Sequence, residues 1–527
     1  MEEGLLHFLA VVLLLLFCGW KLLNSFFLTP KKLERLLREQ GYHGDPYTLF
    51  PNNNSCSSSN KNKMTPMSIS DDKDIAPRVS YAGDHAIHKF GNKSFYWEGH
   101  TLKVNITNPD HIKQVLTNNT FFKKEPLKLK RLANLLGSGL PNYEDHEWLR
   151  HRRIINPAFH FDKLKVLTST MVQCCDDVIS KWEEMVSCSD SEGKCDIDVW
   201  PSIQNLASDV ISRTAFGSSY QEGKRIFELL MKQATLIMRL KYIHIPGWWL
   251  LPTSVNRSMI KIDREIQKSL EAIISKREKA MKDGEEVNKS DLLGILLESN
   301  KNEIKEENGY GNSSKKKGII GMSNREIVEE CNTFYIAGQG TTADLMVWTM
   351  VLLSRYPEWQ TRAREEVFQV FGNRKPDNDG LNRLKTVTMI LNEVLRLYPP
   401  GLFFSRTVDK DIKMENLSLP AGVKVTLPIL YIHHDRELWG DDAKEFKPER
   451  FSEGIAKATK GRLSYFPFGW GPRICIGQNF SLMEAKIFLT LLLQSFTFEL
   501  SPAYTHAPLN FFTLIPMHGA QIVLRKL

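Results

Sequence analysis

The stretch Phe466-Pro-Phe-Gly-Trp-Gly-Pro-Arg-Ile-Cys-Ile-Gly477 decides the reading of this chain. A single cysteine in an apolar run is most often a small core hydrophobe. The neighbours of Cys475 instead supply what an anionic sulfur ligand needs. Gly471 lets the backbone come close to a flat bound group and point amide N–H groups at the sulfur. A helix expected from Gly477 to Phe496 brings positive potential to the same place, which favours the thiolate. Phe468 is placed to shield the sulfur from water. Arg473, just before the cysteine, can give a charge-assisted hydrogen bond to a carboxylate on the bound group.

Phe468, Gly471, Arg473, Cys475 and Gly477 together match the F-x-x-G-x-R-x-C-x-G signature of the cytochrome P450 superfamily, which the chain resembles. The resemblance implies a haem b whose iron takes Cys475 as its sulfur ligand, with the other four residues at the cofactor and Arg473 on a propionate. Other motifs follow in family order. In Leu391-Asn-Glu-Val-Leu-Arg-Leu-Tyr-Pro-Pro, a helix is stopped by Pro399 and Pro400. Glu393 and Arg396 fall on one face of it, a spacing that alone would mean a surface ion pair. Phe446-Lys-Pro-Glu-Arg-Phe451 looks like the family's P-x-R-F element and would bring Arg450 to Glu393. The resemblance makes these three charges structural, a lock on the cysteine loop. Trp148-Leu-Arg-His-Arg152 is similar to the family's W-x-x-x-R helix, whose Trp and Arg hold a propionate. Arg406 corresponds to a further propionate-binding arginine, while His434 reads equally well as an ordinary loop histidine.

Ser323 and Glu326 form a capping box that opens a helix running to about Arg355. In its middle lies Ala337-Gly-Gln-Gly-Thr-Thr342, where each glycine costs about 1 kcal/mol relative to alanine. Ala337, Gly338 and Thr341 share one face and suit a groove for dioxygen; tight helix–helix packing is the plainer alternative. The passage resembles the family's A-G-x-D/E-T-T element, which implies a catalytic role for Ala337, Gly338, Thr341 and Thr342. It departs from that element at Gly340, where the family has an acid that relays protons with the threonine. Thr341 must then work through water or another donor. Asp344 is expected to point along the helix and is given no role.

Composition sets the wider frame. The chain has 527 residues, 42% hydrophobic and 25% charged, with 69 Lys and Arg against 61 Asp and Glu. A net charge of +8 over this length is too dilute to argue for nucleic acid. It suits a membrane-facing protein, one that docks an acidic partner, or an ordinary soluble surface. Eight cysteines without a C-x-x-C pair signal neither a disulfide framework nor a zinc site. Gly4 to Trp20 is apolar apart from His7, and Lys21, Lys31, Lys32, Arg35 and Arg38 follow it. That pattern predicts an uncleaved anchor with the bulk of the chain in the cytosol; a cleaved signal peptide would want a basic start and a small-residue cleavage site.

The expected architecture is therefore mainly α with small β-sheets: residues 1–29 as a membrane helix and residues 30–527 as one haem-thiolate catalytic domain. Pro30 to Gln40 reads as an amphipathic helix at the membrane surface. Helical periodicity covers Val166–Met185, Ile226–Leu240 and Val255–Lys282, and strand-like pieces occur at Ser94–Val104, Lys424–Pro428 and Ala520–Leu524. Asn52–Lys63 and Ser299–Lys317 read as polar loops.

The resemblance is strongest to the plant clan numbered 72, and implies a single-pass enzyme of the endoplasmic reticulum membrane with its catalytic domain on the cytosolic side. Electrons would come from NADPH through NADPH-cytochrome P450 reductase. One oxygen atom of O2 would enter a hydrophobic small molecule, a terpenoid, hormone or fatty acid, lined by the segments Asn119–Leu136 and Leu230–Trp249. Gly340 keeps open a haem-thiolate isomerase, dehydratase or peroxygenase that does without O2 and reductase. A non-catalytic haem-binding protein is the remaining alternative.

Overall fold

The computed structural model describes residues 2–48, 67, 75–79, 82–124, 139–189, 193–217, 220–238, 251–283, 291–309 and 321–527. The chain enters through α1 (Glu2–Leu23), a π turn (Asn24–Leu28) and α2 (Thr29–Glu39). Phe8, Leu13, Leu16 and Trp20 of α1 are all exposed. Among the described residues this is the one helical stretch long and apolar enough to cross a membrane. α2 is amphipathic as expected: Arg35 and Arg38 pair with Glu39 and Glu34, while Leu37 is wholly buried.

The predicted strand at Ser94–Val104 is a hairpin, β1 (Phe95–Glu98) and β2 (Thr101–Asn105), turning at Gly99 with φ of 61°. The remaining strands are β3 (Phe122–Lys123), β4 (Lys194–Asp198), β5 (Phe404–Val408), β6 (Ile412–Met414), β7 (Leu417–Leu419), β8 (Lys424–Leu427), β9 (Phe496–Leu500), β10 (Pro508–Phe511), β11 (Thr513–Pro516) and β12 (Gln521–Lys526). They form a five-stranded sheet in the order β1-β2-β8-β5-β3, a three-stranded sheet β4-β12-β9, and the hairpins β6-β7 and β10-β11. The parallel pair within the larger sheet is β2 with β8, in register Val104↔Val425. Leu37, Phe95, Val104 and Val425 share one small core beneath this sheet.

The main core belongs to helices: α3 (Asp145–Ile155), α4 (Phe161–Ser187), α5 (Val199–Phe216), α6 (Tyr220–Met238), α7 (Ser254–Asp283), α8 (Leu292–Gly309), α9 (Asn324–Arg355), α10 (Lys385–Leu397) and α11 (Gln478–Ser495). α9 starts at the expected capping box, with Ser323 and Glu326 each closing on the other's backbone. From Thr342 to Leu353 it is buried on every side, the mark of a central helix. α10 ends at Leu397, where the Pro399-Pro400 pair prevents its continuation.

One expected loop begins too early. The polar stretch from Ser299 is helical to Gly309, because Lys and Glu are good helix formers and no proline interrupts them. Residues 310–317, like the predicted loop at 52–63, lie outside the described residues.

Candidate active site

The cysteine loop is shaped by two left-handed glycines, Gly469 (φ 76°) and Gly471 (φ 72°). At Gly471 a Cβ would stand 2.8 Å from the backbone oxygen of Leu116. A backbone oxygen cannot swing aside, so both the angle and the close approach demand glycine there. The Cys475 N–H donates to Phe468 O at 2.8 Å and closes the loop, and α11 begins three residues later at Gln478. Phe468 is half-buried against the main core. The Cys475 thiol is accessible although it sits deep among protein atoms. Burial pushes it up, opposed by the Gly477 N–H, by the charges of Arg152 and Lys124, and by the Gln478 N–H.

Around the thiol stands an excess of cations. Arg152 Nη1 donates to Ile474 O at 3.0 Å, which ties α3 to the residue before the cysteine. Arg473 lies over the Trp148 ring, 4.6 Å from its centroid. It donates from Nη2 to Tyr143 O at 3.0 Å and pairs with Glu144 at 2.6 Å. Arg406, from β5, is 4% exposed and its Nη1 reaches Ser405 O. Burial, and then the charge of Arg473, bring its guanidinium down to about 10. Lys124 is the fourth. Burial, then Arg406 and Arg473, bring its ammonium down to about 7. Glu144 serves both sides of the group, accepting from the Lys124 backbone N–H at 2.9 Å while it pairs with Arg473. Among the described residues, buried Arg406 Nε, Arg473 Nε and Arg473 Nη1 have no hydrogen-bond acceptor. Buried donors of one sign without acceptors are costly unless an anion completes them.

The loop's support is built of buried charge. Glu393 and Arg396, both fully buried, meet through two hydrogen bonds of 2.7 Å. Arg450 Nε donates to the same carboxylate at 3.3 Å, and the Lys447 N–H donates to Glu393 Oε1 at 2.9 Å. Arg396 also donates to His433 O at 2.7 Å, to Ala443 O and to Glu445 O at 3.1 Å. His433 carries the support onward: its Nε2 accepts from the Phe466 N–H at 3.2 Å, where the cysteine loop starts. Burial holds the His433 imidazole well below its ordinary range, so it is neutral and able to accept. His434, by contrast, bonds Leu397 O at 3.0 Å.

On α9 the expected residues divide. Ala337 is exposed along the helix and Thr341 partly so, and the Thr341 hydroxyl donates to Ala337 O at 2.7 Å. Gly338 and Thr342 turn elsewhere, which corrects the expectation that Gly338 shares a groove face with Ala337 and Thr341 and that Thr342 has a catalytic role. A Cβ on Gly338 would stand 2.9 Å from Ile211 Cδ1, so this glycine lets α5 approach. Thr342 is buried and donates to Ser481 Oγ of α11 at 3.0 Å. Helical geometry accounts for the split, since neighbouring residues point about a quarter-turn or more apart.

A cytochrome P450 family model matches residues 84–522. The chain belongs to the cytochrome P450 family. It is 54% identical over 96% of its length, and 95% of the relative's, to a protein of Medicago truncatula named 11-oxo-beta-amyrin 30-oxidase, and equally so to one of the same name from Glycyrrhiza uralensis. It is 53% identical to cytochrome P450 CYP72A613 of Trigonella foenum-graecum, over 98% of this chain and 97% of that one. These likenesses match the plant clan numbered 72. The fold is similar to that of a retinoic-acid-bound cyanobacterial CYP120A1, with a TM-score of 0.71, 22% identity, and coverage of 85% of this chain and 94% of that one.

This P450 is thus a monooxygenase by family, and membership brings a cysteine-ligated haem. The site fits such a group. Haem carries propionates, and the acceptor-poor donors of Arg406 and Arg473 beside Lys124 and Arg152 are what two carboxylates would complete. Sequence reasoning missed Lys124, Glu144 and His433. Only the adjacent histidines at 433 and 434 offer a hint, and it is His433, not His434, that holds the loop. Of the two substrate segments, residues 125–136 and 239–249 lie outside the described residues.

Proposed function

We propose that this P450 inserts one oxygen atom from O2 into a terpenoid, with electrons drawn from NADPH through NADPH-cytochrome P450 reductase. The observation that carries the substrate class is the 54% identity, over nearly the whole chain, to two proteins named as oxidases of 11-oxo-beta-amyrin, a triterpenoid. In this reading Cys475 holds the iron; Arg406, Arg473, Arg152 and Trp148 hold the propionates; and Phe468, Gly471 and Gly477 shape the bed beneath the ring. Lys124 joins the propionate set. When bound, the haem supplies oxygen activation, driven by electron donation from the thiolate.

The protein's own residues then have defined tasks. Glu393, Arg396 and Arg450 fix the loop that presents the sulfur. Ala337 gives the surface past which oxygen and substrate meet, and the Thr341 hydroxyl stands beside it. The apolar α1 supports an anchor at residues 1–29 in the endoplasmic reticulum membrane, with residues 30–527 as a cytosolic catalytic domain able to draw apolar substrates from the bilayer. Microsomes containing this chain and a reductase, offered oleanane triterpenoids alongside other terpenoids and fatty acids, test the reading. Expected is NADPH-dependent gain of one oxygen atom by a triterpenoid. Oxidation confined to fatty acids would overturn the substrate class.

Gly340 favours a second reading, rearrangement or peroxygenation without reductase. It predicts turnover with added hydroperoxide and none with NADPH.

A further inference from the structure

Position 340 has no side chain with which to hand a proton to the groove beside Thr341, and Thr341 already gives its own hydroxyl hydrogen to Ala337 O. An acid nevertheless stands one helical turn further on. Residues four apart stack on one helical face, so Gly340, Asp344 and Trp348 form a row along α9. That row meets β11. Trp348 Nε1 donates to Leu514 O at 2.6 Å, and Thr513 Oγ1 lies 4.0 Å from the position of a Cβ on Gly340. Asp344 between them is fully buried. Among the described residues neither of its oxygens meets a partner at good hydrogen-bond distance and angle, and the Thr513 hydroxyl acts on it. Burial pushes the Asp344 carboxyl well above the usual carboxylate range, against the opposing pull of Thr513.

The polarity of the pair follows. A neutral carboxylic acid is a donor as well as an acceptor. When Asp344 gives its O–H to Thr513 Oγ1, the Thr513 hydroxyl hydrogen is free to point into the space that Gly340 leaves. An ionised Asp344 would take that hydrogen for itself, and nothing would face the groove.

We propose that Thr513, supplied by Asp344, is the proton donor that stands in for the acid absent at position 340. The proposal rests on the chain being a monooxygenase. For each proton Thr513 passes into the groove it takes one from Asp344. The carboxylate left behind regains its proton through Thr513 from a hydronium that enters the groove from bulk water, so that each cycle carries one solvent proton inward, and no electron moves. Gly340 is then part of the device, because a side chain there would fill the gap that Thr513 faces.

The test uses haem-loaded full-length protein with reductase and an accepted substrate, as Thr513→Val and Asp344→Asn, each also combined with Gly340→Glu. A Cβ at 340 meets only ordinary van der Waals contact, so the added acid has room to start. Expected is an unchanged substrate-induced spectral shift, a loss of about tenfold or more in product per NADPH with hydrogen peroxide released instead, and recovery on adding Gly340→Glu. An amide can orient Thr513 but cannot resupply its proton, so Asp344→Asn separates a relay from a scaffold. A second measurement needs no substrate: the infrared band of a buried protonated carboxylic acid, absent in Asp344→Asn and shifted in Thr513→Val. Wild-type coupling in Thr513→Val, or the lack of that band, overturns the proposal. A wild-type protein that accepts no electrons from NADPH with any substrate overturns the monooxygenase reading instead, and the infrared band still decides whether Asp344 and Thr513 are joined.

Discussion

Arg396 presents Nε and Nη2 to the two oxygens of Glu393 at 2.7 Å each, and neither side chain has any surface open to water. Breaking such a pair by removing one partner leaves an uncompensated buried charge, at a cost of about 3–5 kcal/mol. Glu393→Ala should therefore cut folded, haem-containing protein severely, read as haem per mole of purified chain. Arg396→Lys should fail nearly as badly, because an ammonium cannot reproduce the planar fork that also serves His433, Ala443 and Glu445. Normal haem content in Arg396→Lys would show that the fork is dispensable.

Gly471→Ala isolates the cost of the loop's geometry. The substitution puts a side chain in the left-handed region, which costs about 1–2 kcal/mol, and drives it against Leu116 O. We expect a lowered unfolding midpoint and loss of the reduced-carbonyl absorbance of a haem thiolate. Gly401→Ala is the control: its backbone needs no positive φ and its Cβ would meet open space, so stability should stay within about 0.5 kcal/mol of wild type. Equal losses in the two variants would refute the geometric account.

The cationic group makes a prediction of opposite signs. Burial, and then repulsion from Arg406 and Arg473, bring the Lys124 ammonium down to about 7. Lys124→Met should therefore leave haem-free protein as stable as wild type or more so, while weakening its hold on haem. Thermal melts of the apo chain and transfer of haem to an acceptor protein read the two effects separately. A variant that loses apo stability and keeps its haem would show that Lys124 is an ordinary packing residue.

The cysteine loop and the Glu393–Arg396–Arg450 cluster were legible in the sequence because each packs its determinants into a short motif. Spacing within one helix fixes which residues share a face, and the loop glycines mark where the backbone must come close. Lys124 was not legible: it directly follows a two-residue strand, and nothing local tells that β5 and the cysteine loop will enclose it. Gly338 and Thr342 were misplaced for a related reason. Their motif is real, but whether a small residue faces a ligand or a neighbouring helix depends on Ile211 and Ser481, which come from other parts of the chain. Asp344 was passed over because its partner, Thr513, arrives from the C-terminal hairpin.

The segment leading into that hairpin also sets a pH dependence. His506, 4% exposed, bonds Tyr504 Oη through Nδ1 at 2.8 Å and Tyr398 Oη through Nε2 at 3.3 Å. Tyr398 in turn stacks on Trp348 of α9, with centroids 4.6 Å apart. Burial, and then the charge of Arg78, bring the imidazole down to about 4. The fold thus holds His506 neutral, whereas the unfolded chain protonates it near pH 6.5. As pH falls through about 6.5 the unfolded state takes up a proton that the fold refuses, and stability drops by about 1.4 kcal/mol per unit. The loss continues to about pH 4, where the folded imidazole also protonates, and totals about 3 kcal/mol. His506→Gln keeps an amide to meet the tyrosines and removes the titration. Its unfolding midpoint should accordingly fall less than that of wild type between pH 7 and pH 5, and parallel curves for the two proteins would place the acid sensitivity elsewhere.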